Sequence, residues 1–440
     1  MAFVHPNSCE CAKSELDIFA VPPTQTSIES CATVEHNPVS SIAHGLPIEF
    51  AVSGSGQDYV DIAGTQLFVR AKITRANGAP IDGTDQVGPV NLTLHSLFSE
   101  VDVRLNDTVI SSGNNTYAYR AYIEKLLSYG TDAKASQLTA ALYYRDTAGE
   151  MDDSNPLAVN AGNAGLAKRH WFFRDGNTVD MMDKLHIDLC FQERFIPSDV
   201  GLRIRLVRNK DAFCLMSAAA APAYKLQIVD CKLYVKKVKL SPSIVVAHAK
   251  ALELSNAKYP VKRVVCKTVT VSQGQMDFSL ENVFTGQLPT RIVVGMVDND
   301  AFNGVWRKNP YNLKHYNLSQ LKVYLDGQSQ LIKPIEPDYI NGQFIQAYLS
   351  LFEGTGKLGR DESIDLSRRE YDRGFSLYAF DLTPDQAEGD HLNLLREGSL
   401  RLDAKFRDPL ALTINVLVYA EFENIIEIDR NRNVIFDYTN

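Results

Sequence analysis

The stretch "VDVRLNDTVI", Val101–Ile110, alternates apolar and polar residues, turns at Asn-Asp and alternates again. Half a chain later "LKVYLDGQSQ", Leu321–Gln330, does the same around Asp-Gly. Period-two alternation places every second side chain on one face of a strand, and Asp-Gly or Asn-Asp between two such runs predicts a tight hairpin. The likeness extends outward. With Leu105 set on Leu325, the leader "LHSLFSE" faces "HYNLSQ". After a short loop, "YAYRAYIEKLLSYG" faces "QFIQAYLSLFEGTG", with Ala121-Tyr122 on Ala347-Tyr348 and Gly130 on Gly356. The offset is 220 residues at the strand and 226 at the helix. Strand, polar turn, loop and an Ala-Tyr helix ending near Gly, in the same order twice, predict a tandem duplication. A period this long is far above the ~20–50 residues of stacked repeats, so the repeating unit is a whole domain.

The rest of the chain fits that reading. Its 440 residues suit two domains of roughly 200 residues each. Alternation dominates: Leu67, Val69, Ala71 and Ile73 share one face, as do Leu202, Ile204 and Leu206, then Cys231, Leu233 and Val235 followed by Val238 and Leu240. The doubled Lys236-Lys237 slips that last register by one and predicts a bulge. "KLHIDLCF" reads as another strand with Leu185, Ile187, Leu189 and Phe191 inward, similar in pattern to "GFSLYAFDL". Many short strands between Gly, Asn, Asp and Pro turns predict an all-β fold, and the length of each half suits an eight-stranded jelly roll. Helices are few: 115–130, with Tyr119, Tyr122, Ile123, Leu126 and Leu127 on one face, and 243–257 between two X-Pro breaks. The expected organisation is an N-terminal arm (1–15), a first jelly roll (16–242) with a long, surface-exposed inserted loop (131–169), a helical linker (243–258), a second jelly roll (259–430) and a C-terminal arm (431–440).

Composition narrows the function. Apolar residues make up 45% and charged residues 22%, with a formal net charge of -8; a protein built to neutralise nucleic-acid phosphates is basic instead. No apolar run reaches the ~18 residues of a membrane span. The start "MAFVHPNSCECAKSELDIFA" has no basic region followed by a long apolar core, so synthesis in the cytosol is expected. The sequons at Asn91, Asn106, Asn114 and Asn317 then carry little meaning. Seven scattered Cys without a CxxC pair read as reduced thiols; Cys9-Glu10-Cys11 stands alone as a conceivable metal or cross-linking pair.

Chemical motifs are absent. There is no GxSxG; "SGSGQD" lacks the Lys-Ser/Thr of a phosphate loop; the nine His form no HxH or HExxH. His186 falls on the polar side of its alternation and reads as solvated. Asp298-Asn299-Asp300 lacks the regular spacing of a calcium loop. Lys232, Lys236, Lys237 and Lys239 read as a solvated strand face, with an acidic partner or DNA as the alternative. The expectation is no catalytic residue, no cofactor and no metal. What stands out is architecture, which suggests a building block.

Several longer stretches carry a resemblance. "KSELDIFAVPPTQTSIE", "VGPVNLTLHSLFSEVDVRLN", "TYAYRAYIEKLLSYG", "DAFNGVWRKNPYNLKHYNL", "YLDGQ", "FDLTPD" and "INVLVYAEFENIIEIDRNRNV" together resemble the major capsid proteins of Maverick/Polinton elements and adintoviruses, from about Lys13 to Val434. The resemblance implies a double jelly roll of the adenovirus-hexon kind and a homotrimer presenting six barrels as a pseudo-hexagon. Such capsomers tile an icosahedral shell around double-stranded DNA, beside vertex (penton) and minor capsid proteins, with at most indirect contact to the DNA. The implied location is the virion, with synthesis in the host cytoplasm and assembly in the nucleus. No catalytic residue transfers from such a family. Aromatic-rich loops supply interface candidates: Tyr143 and Tyr144; Trp171, Phe172 and Phe173; Phe302, Trp306, Tyr311 and Tyr316. Each is equally able to fold back on its own barrel. Two rival readings, a two-domain β-sandwich glycosidase or esterase and a carbohydrate-binding module, require an opposed carboxylate pair in a cleft or aromatic-lined loops at one barrel end. A single-barrel vertex protein is disfavoured by the repeat.

Overall fold

Both quoted stretches fold as hairpins with two-residue turns. Leu105 pairs with Thr108 and Leu325 with Gln328, and Asn106, Asp326 and Gly327 adopt the positive φ that such turns require. In the computed structural model, residues 4–436 are described, apart from 55, 112, 159–161, 330–333, 362–363 and 387–390.

The first half contains β1 (Ile28–His36), β2 (Ile48–Val52), β3 (Asp58–Arg75), β4 (Val87–Pro89), β5 (Phe98–Leu105), β6 (Thr108–Ser111), β7 (Thr178–Asp183), β8 (Leu202–Arg208), β9 (Leu215–Ser217) and β10 (Tyr224–Leu240). The second contains β11 (Ala257–Val271), β12 (Asp277–Gln287), β13 (Arg291–Asp298), β14 (Leu318–Leu325), β15 (Gln328–Ser329), β16 (Leu377–Asp381), β17 (Glu397–Phe406), β18 (Ile414–Ile428) and β19 (Val434–Phe436). Two four-stranded sheets, β1-β10-β3-β7 and β2-β8-β5-β6, face each other in the first half. In the second the orders are β11-β18-β13-β16 and β12-β17-β14-β15, with β19 added to β18. Taking the eight barrel strands of each half in chain order, both follow one plan: first, eighth, third and sixth in one sheet, second, seventh, fourth and fifth in the other. That is a jelly roll, twice, and the chain is a double jelly roll.

Alternation placed the cores correctly. Leu67, Val69, Ala71 and Ile73 are buried, as are Leu202, Ile204, Leu206, Cys231, Leu233, Val235, Val238 and Leu240. The register slip beside Lys236-Lys237 is present between Tyr234 and Lys236, where β3 adds residues 62–65 opposite. Lys232, Lys236 and Lys239 lie on the outer face, paired with Glu35 at 2.7 Å, Asp61 at 3.1 Å and Glu29 at 3.0 Å.

Four expectations need correction. "KLHIDLCF" is no strand: it runs as coil into a short 3-10 turn, Asp188–Phe191, and Phe191 points to solvent. The sixth barrel strand is β7 just before it. The alternation survives because Leu185, Ile187 and Leu189 are buried, but its backbone makes no ladder: the His186 N–H donates to the Tyr117 hydroxyl at 3.2 Å and the Cys190 N–H to the Ile187 carbonyl at 3.0 Å. His186, beside them, is buried too. The insert 131–169 is no surface excursion: short helical turns at Thr131–Ala135 and Gln137–Ala141 lead into the helix Ala164–Phe173, and Leu138, Leu142, Met151 and Leu166 are buried. The described part of 431–440 is no free arm, because β19 hydrogen-bonds to β18. Asn106 and Thr108 also donate to the carbonyls of Arg432 and Val434 at 2.8 and 3.0 Å. Residues 4–26, by contrast, are exposed throughout.

Candidate assembly interface

The two barrels meet along a buried seam built by three segments. The first is the helix Tyr117–Ser128, ten of whose 12 residues are buried. The second is the segment 184–201 after β7. The third is the loop 299–317 after β13, which reaches from the second barrel into the first.

Aromatic rings form the centre. Tyr311 is fully buried and stacks on Tyr122 with centroids 4.2 Å apart. Its hydroxyl meets Ser96 Oγ at 2.5 Å. Tyr119 stacks on Phe302 at 5.4 Å and meets Tyr311 edge-on at 5.8 Å. Such ring pairs contribute about 0.5–1.5 kcal/mol each beyond their area burial.

Beside the rings lies an ionic network. Arg120 donates to Asp188 at 2.8 Å and to Glu124 at 2.9 Å. Asp188 also accepts the backbone N–H of Val264, on edge strand β11 of the other barrel, at 3.1 Å. Tyr419 donates to Glu124 at 3.3 Å across the seam. Burial raises the Asp188 carboxyl, partly offset by Arg120. Burial also pushes Glu124 up, but Arg120 and His186 outweigh it and hold the carboxyl at about 2. A second buried pair, Arg169 with Asp146 at 2.6 Å, is closed by Asn309 of the other barrel, which donates to Asp146 at 3.0 Å. Buried charges need partners of this kind, since an unpaired one costs several kcal/mol.

The interface candidates separate accordingly. Tyr143, Phe173 and Tyr311 are buried within one chain and present no surface to a partner. Phe302, Trp306 and Tyr316 are half-buried against the same core, as are Tyr144 and Phe172. Trp171 alone of the nine is exposed, at 55%. The loop 299–317 serves the seam between barrels, since Phe302 and Tyr311 stack on Tyr119 and Tyr122 of the first barrel, whereas Tyr144 and Phe172 meet within the insert. The ionic partners Arg120, Glu124 and Asp188 were not singled out from the sequence, although Arg120 and Glu124 stand four apart on a helix that otherwise reads as core.

Two clusters bear on metal chemistry. His95, Asp183 and His186 bring donor atoms within 4.8 Å of one another. Asp183 is already engaged by His95 at 3.2 Å and by the Lys125 ammonium at 3.0 Å, which supplies the positive charge there. Asp298 and Asp300 share the Lys308 ammonium at 2.6 and 2.9 Å. The thiols of Cys190, Cys214, Cys231 and Cys266 are buried and pushed up to about 12 by burial, which disfavours the thiolate. Among the described residues no helix is long and apolar enough to cross a membrane.

Comparison with known proteins follows the fold. No family model matches the chain. An uncharacterized protein of Caenorhabditis elegans, F54H12.2, is 25% identical over 431 residues, spanning 95% of this chain and 99% of its own. Among solved structures, a chain of the Sputnik virophage aligns over 100% of this chain and 95% of its own, with TM-score 0.65 and 10% identity. The Faustovirus major capsid protein covers 94% and 92%, with TM-score 0.61 and 9% identity. The mavirus major capsid protein covers 99% and 95%, with TM-score 0.54 and 12% identity. The chain thus shares, end to end, the double jelly-roll fold of viral major capsid proteins.

Proposed function

We propose that this chain is a major capsid protein, a structural subunit without catalytic activity. Three copies associate into a six-barrel capsomer, and capsomers tile an icosahedral shell around double-stranded DNA. The observation that carries this reading is the pair of jelly rolls with one strand plan, locked by a buried seam, together with whole-length likeness to the Faustovirus and mavirus major capsid proteins. Duplication has a physical use here: three two-barrel chains approximate a hexagon, and divergence between the barrels lets neighbouring capsomers meet different surfaces. The net charge of -8 leaves condensation of the genome to cations or basic proteins. The exposed segment 4–26 is suited to reach neighbouring capsomers, vertex proteins or minor capsid proteins. A place in the virion follows, and within capsid proteins the motifs quoted above favour the Maverick/Polinton and adintovirus group.

The test is mass by light scattering behind a sizing column. Three chains of 49.0 kDa give 147 kDa, and a species of that mass, unchanged on dilution and hexagonal in negative stain, is expected. A clean monomer overturns the reading.

A further inference from the structure

The cluster of His95, Asp183 and His186 joins three stretches of barrel 1: the helical turn Thr93–Ser96, the end of β7 and the segment 184–201. One donor atom from each residue lies within 4.8 Å of the others. His95 Nε2 stands 3.2 Å from Asp183 Oδ2, about the spacing of two ligands on one tetrahedral ion whose bonds are ~2.0–2.1 Å long. The other Asp183 oxygen accepts the Lys184 N–H at 2.8 Å, which fixes the carboxylate.

Each imidazole is held as metal-binding histidines are held, by a polar partner on one nitrogen that leaves the other for the ion. His186 gives Nδ1 to the Glu124 carboxylate. Its Nε2 is buried without a hydrogen-bond partner, on a side chain only 2% exposed. Leaving a buried polar atom unpaired is costly, and nothing in the ionic network of the seam uses that lone pair. His95 Nδ1 meets the Tyr117 hydroxyl at 2.9 Å, and the same hydroxyl accepts the His186 backbone N–H at 3.2 Å. Burial holds both imidazoles below their ordinary value, so the rings are neutral, the form that ligates. Asp183, 18% exposed against 0% for His95, is the side from which an ion enters. One group opposes it: the Lys125 ammonium, 3.0 Å from Asp183 Oδ2, is the cation of the cluster in the metal-free chain. That ammonium also stands 4.9 Å from the centre of the Tyr129 ring, one turn on, and a cation over an aromatic face keeps a favourable contact when it gives up the carboxylate.

We propose that His95, Asp183 and His186 bind one zinc-class divalent ion in exchange for the Lys125 ammonium, with Glu124 and Tyr117 positioning the two rings. Two imidazoles and one carboxylate suit zinc rather than calcium or magnesium, which take oxygen ligands, and the fourth position is left to water. The role is structural. The ion pins the start of the segment 184–201, whose Asp188 holds the Val264 N–H of the other barrel. The site is independent of the capsomer reading.

The probes are Co2+ and Zn2+ alone, added to chelator-treated full chain carrying Cys9→Ser, Cys11→Ser and Cys31→Ser, which removes the exposed thiols among the described residues. One Co2+ per chain is expected, with the intense visible absorption of a tetrahedral site, no thiolate charge-transfer band and displacement by Zn2+; Zn2+ also raises the urea midpoint. Glu124→Gln weakens zinc by about 10–100-fold, the usual loss when an outer partner of a ligand is removed. Lys125→Met, which takes away the competing charge and no ligand, tightens it by about tenfold or more. His186→Gln abolishes it. The opposite signs of the Glu124 and Lys125 variants separate ligation from a merely structural role, in which both only lower stability. An octahedral Co2+ spectrum, binding indifferent to His186→Gln, or binding not tightened by Lys125→Met overturns the site. If His186→Gln fails to fold, the spectrum of the otherwise native chain and the Lys125→Met shift decide.

Discussion

Truncating Tyr311 tests whether the aromatic loop 299–317 is internal glue or outer surface. Tyr311→Ala removes a fully buried ring with a stacking partner at 4.2 Å, and large aromatic-to-alanine changes in a core cost about 3–5 kcal/mol. Tyr311→Phe keeps the ring and removes the hydroxyl. Ser96 Oγ retains the carbonyls of Asn91 at 2.8 Å and Leu92 at 3.1 Å, so the loss is only about 1 kcal/mol, a typical net hydrogen bond. The assay is urea unfolding at fixed protein concentration, followed by tryptophan fluorescence, since Trp306 lies on the same loop. Oligomer mass is measured in parallel. The expected order of stability is native, then Tyr311→Phe, then a much weaker Tyr311→Ala. An unchanged midpoint for Tyr311→Ala, with loss of oligomer instead, refutes the placement of this ring inside one chain.

Three further outcomes are expected. Burial lowers His186 to about 4 despite its Glu124 partner, so the fold holds it neutral while the unfolded chain takes up a proton near 6.5. Stability from this site is therefore complete above that value and falls as pH drops from 6.5 towards 4; urea midpoints for His186→Gln should lose this part of the slope. Gly354→Ala drives a methyl against the Ala379 backbone, and overpacking of this kind costs about 1–3 kcal/mol, read as a lower thermal midpoint. Arg120→Met strands Glu124 and Asp188 as buried carboxylates, a loss of about 3–5 kcal/mol by analogy with broken buried pairs; Arg120→Lys, which restores the charge, should recover part of it in the same denaturation.

The hairpins were legible because their turns are written in residues that tolerate positive φ, Asn106 and Asp326-Gly327, between runs whose alternation fixes which face is buried. The duplication was legible for the same reason, and it placed Tyr117–Ser128 opposite Ile345–Gly354 correctly. "KLHIDLCF" misled because alternation reports burial, not hydrogen bonding: its Leu and Ile residues are inward, yet the ladder stops at Asp183. The insert after Tyr129 gives little sign of burial in its small residues and weak periodicity, whereas contacts distant in sequence anchor it: Arg169 donates to the Pro89 carbonyl at 2.8 Å, and Asn309 donates to Asp146 at 3.0 Å. The aromatic candidates were ambiguous between seam and surface. Alternation within one strand cannot say whether the other side of a loop is water or the second barrel; that decision is made by Tyr119, Tyr122 and Tyr311 meeting in three dimensions.

The seam within the chain and its counterpart differ in chemistry. At the 226-residue offset Arg120 becomes Gln346 and Glu124 becomes Ser350, so the ionic network has no copy on the outer helix, Ile345–Gly354, where Ile345 and Leu349 remain. An aliphatic contact responds to its medium in a characteristic way: it strengthens on warming and in sulfate and weakens in the cold, and it is largely indifferent to screening by simple salt. The joint between the barrels, made once during folding, thus combines buried charge with stacked rings, while any contact made on the outer helix would be governed by temperature and solvent.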